Sequence, residues 1–196
     1  MRLASPSLVL LLLLGSCASR GHERELVAHD VRGERHVVVP IEGSARAAVL
    51  LFVATDCPIS NAFAPEVNRI LAEYQPRGVE FRLVYADGET DAIRRHVEDF
   101  GYRMPALLDF EHELVEFTGA TMSPEAVVLS PSGEVLYRGR IDDTWVDYGK
   151  QRAQPTRHDL RLALDAVLAG ERPEVARTEA IGCFLPAPAE ASCCDE

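Results

Sequence analysis

The sequence lacks any concentration of positive charge. Its 20 Lys and Arg residues stand against 31 Asp and Glu residues, which gives a formal net charge of -11 at pH 7. Nucleic-acid binding relies on Lys and Arg side chains gathered against phosphates. We therefore predict no nucleic-acid partner, and we interpret the acidity as a source of solubility that disfavours anionic partners.

Apolar stretches long enough to cross a membrane are also lacking. The run at residues 8–14 holds seven apolar residues, whereas a spanning helix needs roughly 20. Arg2 precedes this run and small residues follow it, which is the pattern of a secretory signal peptide. We predict that residues 1–16 direct export to a compartment in which glutathione does not keep thiols reduced.

The signal ends in a string, LGSC at residues 14–17, that resembles the lipobox of bacterial lipoproteins. The resemblance implies that Cys17 receives a diacylglycerol and becomes the mature N-terminus, with residues 17–24 as a short tether. Acyl chains at one terminus anchor an otherwise soluble domain to a membrane. We expect an exported lipoprotein of the cell envelope, on the periplasmic side; an ordinary signal peptide with an incidental cysteine is the alternative.

Ligand motifs for a metal are missing too. The six histidines show no H-E-x-x-H or comparable spacing, so each is expected to be a surface or core residue. Asp142 and Asp143 follow a predicted strand, and we interpret them as solvated loop residues rather than a cation site. We predict neither a resident metal nor another cofactor.

Cysteine is scarce, and its placement is informative. The five cysteines are Cys17, Cys57, Cys183, Cys193 and Cys194. With Cys17 assigned to lipid, the other four allow several pairings among which the sequence does not choose. Adjacent Cys193 and Cys194 can close only a strained ring, so they pair with other thiols, bind a soft metal together, or are incidental residues of a tail.

Hydrophobic periodicity predicts one α/β domain. The run at residues 47–53 is continuously apolar, as in a central strand covered on both faces. Ile59, Phe63 and Val67 then follow at helical spacing, and residues 79–87 form a second strand. Alternating strands and helices favour parallel pairing. The other predicted elements are a hairpin around Gly33, a helix opened by Thr90, a strand at 106–108, a hairpin over 126–140, a long loop over 141–157 and a helix stopped by Gly170.

This order of elements, together with three local features, resembles the thioredoxin fold. The string CPIS at residues 57–60 stands at the strand-to-helix turn where thioredoxin-like proteins carry C-x-x-C or C-x-x-S. Pro65 has the spacing of the kink proline in their active-site helix. The string TMSPE at residues 121–125 resembles the loop whose cis-proline, here Pro124, faces the cysteine. The resemblance covers residues 25–170 and implies a central mixed β-sheet flanked by helices, with an extra N-terminal β-hairpin.

Within that superfamily, the chain is similar to the redoxin group, the relatives of alkyl hydroperoxide reductase and thiol-specific antioxidant proteins. The string TDCPISN at residues 55–61, the string GRIDD at residues 139–143 and the late pair Gly182-Cys183 carry this resemblance. It implies a redox-active cysteine and a thiol or disulfide partner, either a protein or a small thiol.

Cys57 is the predicted nucleophile. A cysteine at a helix N-terminus lies near backbone N–H groups that lack helical partners and near the positive end of the helix dipole, and both favour the thiolate. The thiolate is the nucleophilic and metal-binding form of cysteine. The adjacent carboxylate of Asp56 opposes this effect. An inert buried cysteine is the alternative.

The local motif has no second sulfur, because Ser60 stands where a dithiol motif has its second cysteine. The Ser60 hydroxyl can donate a hydrogen bond to a thiolate but cannot form a disulfide. Cys57 therefore needs another thiol to complete a redox cycle. Cys183 is the internal candidate, since the surface tail of residues 171–196 could fold back over the active site; a solitary thiol is the alternative. We predict an extracytoplasmic thiol-disulfide oxidoreductase with Cys57 as nucleophile and Cys183 or a partner as resolving thiol.

Other functions stay open. A peroxidase would present its cysteine in P-x-x-x-T/S-x-x-C, but Leu50 and Ala54 occupy the proline and hydroxyl positions. Sco-type copper chaperones share the fold and carry C-x-x-x-C, whose second cysteine is Asn61 here, so a soft-metal site would need Cys183 or the two C-terminal cysteines. A thioredoxin fold that only docks a partner is a further alternative.

Overall fold

The computed structural model describes residues 25–186. The predicted signal peptide and tether, with Cys17, Cys193 and Cys194, lie outside the described residues. Between residues 25 and 186, no helix combines the length and the apolar character needed to cross a membrane.

Strands and helices alternate between residues 47 and 118, as the periodicity predicts. The helices are α1 (Pro58–Tyr74), α2 (Thr90–Asp99), α3 (Glu113–Thr118) and α4 (Asp159–Ala169). The strands are β1 (Leu26–Asp30), β2 (Arg35–Val39), β3 (Ala47–Phe52), β4 (Val79–Tyr85), β5 (Ala106–Leu108), β6 (Met122–Ser123), β7 (Glu125–Leu129), β8 (Val135–Gly139), β9 (Trp145–Asp147), β10 (Lys150–Gln151) and β11 (Cys183–Phe184).

Seven of these strands form one mixed sheet in the order β2-β1-β5-β4-β3-β7-β8. The β3, β4 and β5 strands are parallel to one another, and β7 runs antiparallel to β3. Strands β1 and β2 form the extra N-terminal hairpin at one edge. The predicted fold class, a central mixed sheet flanked by helices in a thioredoxin-like arrangement, is confirmed.

The β3 strand is the centre of the core, and all six of its residues are buried. Its side chains alternate between the two faces of the sheet because successive residues of a strand point in opposite directions. Val49 and Leu51 pack in one apolar cluster with α1, α2 and α4. Leu50 and Phe52 pack in the other, with Leu114 of α3. Helices on both faces explain why this strand is continuously apolar.

The segment 141–157 differs from its prediction as one long loop, because it contains the short hairpin of β9 and β10. Asp143 organises this segment from its base. Its carboxylate accepts hydrogen bonds from the backbone N–H groups of Thr156 at 2.6 Å and Arg157 at 2.9 Å. Asp142 and Asp143 are both buried, so the expectation of solvated carboxylates was wrong. Backbone N–H groups in the turn take the place of water around them.

The tail after α4 crosses the end of β8 and returns to the middle of the domain. Arg138 donates its N–H to the carbonyl of Ala176 at 2.9 Å, and Thr178 donates its N–H to the carbonyl of Arg138 at 3.1 Å. At the crossing, a Cβ on Gly139 would lie 2.2 Å from the Thr178 hydroxyl oxygen, so only glycine leaves room for the tail. This contact explains why glycine occupies the first position of the GRIDD string.

Candidate active site

Cys57 lies between the end of β3 and the start of α1, where it is the N-cap residue of the helix. Its extended backbone conformation points the side chain back at the first turn, and the N–H of Ser60 contacts Sγ at 3.5 Å. The thiol donates a hydrogen bond to the carbonyl oxygen of Ser123 at 3.0 Å. The side chain is fully buried, with 0% of its surface exposed.

Ser60 contacts the sulfur through its backbone rather than through its hydroxyl. The Ser60 hydroxyl oxygen is buried and has no hydrogen-bond partner among residues 25–186, and the same holds for the hydroxyl of Ser123. Buried polar groups in folded proteins are nearly always paired, so two orphaned hydroxyls on the residues that hold Cys57 are unusual.

The second wall of the site is the loop before β7. The Ser123–Pro124 peptide bond is cis, as the TMSPE string predicts, and Pro124 is buried. Glu125 holds this loop in place, because its Oε2 accepts the N–H groups of Thr121 at 2.7 Å and Met122 at 3.1 Å. The TMSPE string alone does not indicate this role of Glu125. The feature that could have indicated it is a carboxylate at the first position of a strand whose residues are all buried.

Cys183 reaches this site from the tail. The β11 strand pairs antiparallel with β6, and Cys183 lies opposite Ser123, the residue whose carbonyl binds Cys57. Burial raises the pKa of the Cys183 thiol, and its hydrogen-bond contact with the Cys57 thiol raises it further. Both thiols are free within the described residues. Cys57, Ser60, Pro124 and Cys183 therefore lie together.

Tyr148 lies at the outer side of Cys183, on the turn between β9 and β10. Its hydroxyl is 3.2 Å from the Cys183 sulfur, and 63% of the residue is exposed. This contact raises the pKa of Tyr148. Tyr148 falls in the segment 141–157 that was predicted as a long loop, and its contact with Cys183 depends on the fold of the tail.

A buried hydrogen-bond chain supports the turn that precedes Cys57. Tyr85 donates to Nδ1 of His96 at 2.8 Å, and Nε2 of His96 donates to Oδ1 of Asn61 at 2.8 Å. Asn61 then donates from Nδ2 to the carbonyl of Thr55 at 3.1 Å. Burial lowers the pKa of His96, which keeps the ring in the neutral form that this chain requires. Asn61 thus fixes the turn rather than supplying a ligand.

Among residues 25–186, two carboxylate-histidine clusters have ligand atoms close enough to hold a cation, and neither contains a cysteine. They are Asp30 with Glu34 and His36, and Glu66 with Asp142 and His158. In both, a carboxylate already has structural partners: Asp30 accepts the backbone N–H groups of Arg32 and Glu34, and Glu66 pairs with Arg69 and Arg161. We assign no function to them.

A cavity of about 960 Å³ is lined by Cys183 but not by Cys57. Its lining includes Met122, Tyr148, Thr178, Ile181, Cys183 and Phe184. Phe184 is 84% exposed beside it. The site thus has an open side, and Cys183 is the cysteine that borders it.

The part of the chain that carries Cys57 and Pro124 matches a known protein family. Residues 25–138, more than half of the chain, match the model of the AhpC/TSA family. The chain belongs to the AhpC/TSA family. This AhpC/TSA protein departs from the peroxide-binding motif, because Leu50 is buried in β3 and position 54 carries the methyl group of Ala54. Neither side chain can hydrogen-bond a peroxide.

Relatives of this AhpC/TSA protein include named oxidoreductases. It is 26% identical over 110 residues to the thiol-disulfide oxidoreductase ResA of Halalkalibacterium halodurans, a match that covers 56% of this chain and 61% of ResA. The match thus spans less than two thirds of that relative.

Solved structures show the same fold. An uncharacterized conserved protein from Geobacillus kaustophilus has a TM-score of 0.74 at 22% identity, covering 85% of this chain and 91% of its own. A secreted Mycobacterium tuberculosis disulfide oxidoreductase homologous to Escherichia coli DsbE has a TM-score of 0.51 at 17% identity, covering 74% of this chain and 96% of its own.

Proposed function

We propose that this protein is an extracytoplasmic thiol-disulfide oxidoreductase whose Cys57 and Cys183 alternate between a dithiol and a disulfide. The observation that carries the proposal is the pairing of β11 with β6, which places Cys183 opposite Ser123, the residue whose carbonyl binds the Cys57 thiol. Ser60 cannot provide a second sulfur, and Cys183 supplies one from the tail.

The chemistry is a two-electron exchange. Closing the Cys57–Cys183 bond releases two electrons and two protons from the protein, and a partner disulfide takes them up to become two thiols. Cys57 lies at the N-terminus of α1, where the N–H of Ser60 contacts its sulfur at 3.5 Å. The name of the relative ResA, a thiol-disulfide oxidoreductase, supports this reaction class.

Reduction of a model disulfide tests the proposal. The reduced protein should reduce glutathione disulfide, and mass spectrometry of the product should find a Cys57–Cys183 bond. Cys57→Ala should abolish turnover. A wild-type protein that reduces no disulfide and forms no Cys57–Cys183 bond under oxidation would refute the function.

We further propose that the protein is an envelope lipoprotein anchored through Cys17. The lipobox-like string supports the anchor, and a structural neighbour described as secreted supports export. The test is detergent partitioning of the protein expressed with its full N-terminus. The wild type should enter the detergent phase and Cys17→Ala should not; equal partitioning would exclude the anchor.

Binding of Cu(I) is the second candidate function. Two cysteine sulfurs at one site suit a soft monovalent ion, and the pairing of β11 with β6 brings Cys183 to Ser123, the residue that binds Cys57. Anaerobic Cu(I) titration of the reduced protein should show one equivalent bound and its loss in Cys183→Ala. No stoichiometric binding would remove this candidate and leave the oxidoreductase proposal intact.

A further inference from the structure

The two sulfurs of the site differ sharply in their access to solvent. Cys57 is fully buried, between the first turn of α1, the Ser123 carbonyl and the tail strand that carries Cys183. Cys183 is only half-buried and borders the 960 Å³ cavity. An external sulfur approaching through this cavity meets Cys183 before Cys57.

We propose that the external partner always bonds to Cys183, and that Cys57 acts only as the internal thiol. This inference rests on the proposed oxidoreductase function and assigns the covalent partner within it. It reverses the roles that the C-x-x-S motif predicts, in which Cys57 attacks the partner and Cys183 resolves.

The exchange balances in the direction of reduction. A reductant thiolate attacks the Cys183 sulfur of the Cys57–Cys183 disulfide, a new bond forms there, and the electron pair of the broken bond leaves on Cys57. A second reductant thiolate attacks the reductant's sulfur in this mixed disulfide, so that Cys183 leaves and takes up a proton, and the reductant becomes a disulfide. In the opposite direction, the Cys183 thiolate attacks one sulfur of a partner disulfide and expels the other as a thiolate, which takes up a proton. Cys57 then loses its proton and attacks Cys183, the disulfide between Cys57 and Cys183 forms, and the second partner sulfur leaves as a thiolate and takes up a proton.

Tyr148 assists Cys183 in the steps in which the Cys183 sulfur attacks or leaves as a thiolate. Its hydroxyl lies 3.2 Å from the Cys183 sulfur and can donate a hydrogen bond when that sulfur carries negative charge. Tyr148→Phe should slow exchange by up to about tenfold, the effect of one hydrogen bond, without altering which cysteine carries the adduct.

Trapping with glutathione disulfide tests the inference. Cys57→Ser and Cys183→Ser are compared in a chain whose Cys17, Cys193 and Cys194 are replaced by Ser, so that each variant keeps one thiol. Cys57→Ser should accumulate a glutathione adduct on Cys183, at least about tenfold faster than Cys183→Ser acquires one on Cys57. Equal or faster modification of Cys57 would count against the inference.

If Cys183→Ser loosens the tail, Cys57 becomes accessible for that reason alone. A second measurement therefore uses the protein with both Cys57 and Cys183 in place. The oxidised Cys57–Cys183 form is mixed with reduced glutathione, quenched with acid, and mapped by peptide mass spectrometry. The mixed disulfide should lie on Cys183. If it lies on Cys57, the inference is wrong while the oxidoreductase function stands; if the pair neither oxidises nor exchanges, the proposed function itself fails.

Discussion

Gly182 lies against the backbone of Ser123, so closely that a Cβ at position 182 would be 2.0 Å from the Ser123 carbonyl oxygen. That same oxygen accepts the hydrogen bond of the Cys57 thiol. The tail thus sits directly on the group that holds the buried cysteine. A side chain at position 182 would collide with backbone atoms, which cannot rotate away as a side chain can.

Gly182→Ala should therefore lift the tail strand from the active site. We expect alkylation of Cys57 by iodoacetamide to become about tenfold faster or more, which corresponds to about 1.4 kcal/mol in the opening equilibrium. Gly101→Ala is the control, because it places alanine at a left-handed glycine with no atom within 4 Å of the new Cβ. Equal alkylation rates in the two variants would show that Gly182 does not seat the strand.

Ser60→Cys should restore a local dithiol. The Ser60 backbone already contacts the Cys57 sulfur, and its hydroxyl is buried without a partner among the described residues, so a sulfur at this position is well placed to form the bond. We expect the double variant Ser60→Cys/Cys183→Ala to form a disulfide between position 60 and Cys57 under oxidation with diamide, although it should not turn over glutathione disulfide, because it lacks the open thiol of Cys183. Ser60→Ala/Cys183→Ala is the matched control and should keep its Cys57 thiol free. A double variant that also keeps both thiols free would mean that position 60 cannot replace the tail thiol.

Asn61→Ala should change the reduction potential of the Cys57–Cys183 pair in addition to lowering the stability of the protein. It removes the bond to the Thr55 carbonyl and leaves the buried His96 ring without its acceptor, a loss of about 1–3 kcal/mol in the free energy of unfolding. Asn68→Ala is the control on the same helix, because Asn68 donates to the Phe100 carbonyl at 2.9 Å. Both variants should lose stability, but only Asn61→Ala should shift the reduction potential of the Cys57–Cys183 pair. Equal potentials in all three proteins would contradict a positioning role.

Asp143 should make stability depend on pH in the acid range. Burial opposes ionisation of this carboxyl, but hydrogen bonds from Thr156 and Arg157 outweigh it and lower the pKa from 3.8 to about 2. The folded state then binds fewer protons than the unfolded state, so the contribution of Asp143 is present above about pH 4 and is lost as the pH falls toward 2. The melting temperatures of wild type and Asp143→Asn should differ at pH 7 and converge toward pH 2.

Asp87→Asn is the control, because it removes the same charge from a carboxylate that is exposed. The difference in melting temperature between wild type and Asp87→Asn should not shrink toward pH 2 in the same way. A constant difference between wild type and Asp143→Asn from pH 7 to pH 2 would mean that the ionised carboxylate does not hold the loop.

The parts of the molecule that local sequence determines were predicted well. The apolar run of β3 marks a strand covered on both faces, and it lies at the centre of the sheet. Cys57 caps α1, Pro65 lies inside that helix, and Pro124 follows a cis bond. Each of these signals depends on residues that are neighbours in the chain.

The contacts that complete the site depend on distant segments and were not predictable in the same way. Tyr148 meets Cys183 only because the tail crosses β8, and nothing within either segment encodes that meeting. The burial of Asp143 was predicted wrongly for a related reason. A carboxylate in a polar stretch gives the same local pattern whether water or backbone N–H groups surround it. Gly139 and Gly182 were the available hints, since each leaves room for another part of the chain.

The crossing of the tail at Gly139 also protects the sheet. The β8 strand is the last in the sheet order, and its outer backbone groups at Arg138 bond to the tail residues Ala176 and Thr178. An uncovered edge strand is a template for pairing with other chains and for aggregation. Deleting the tail to remove Cys183 would uncover this edge as well, so a truncated protein would combine two defects that point substitutions at Cys183 keep apart.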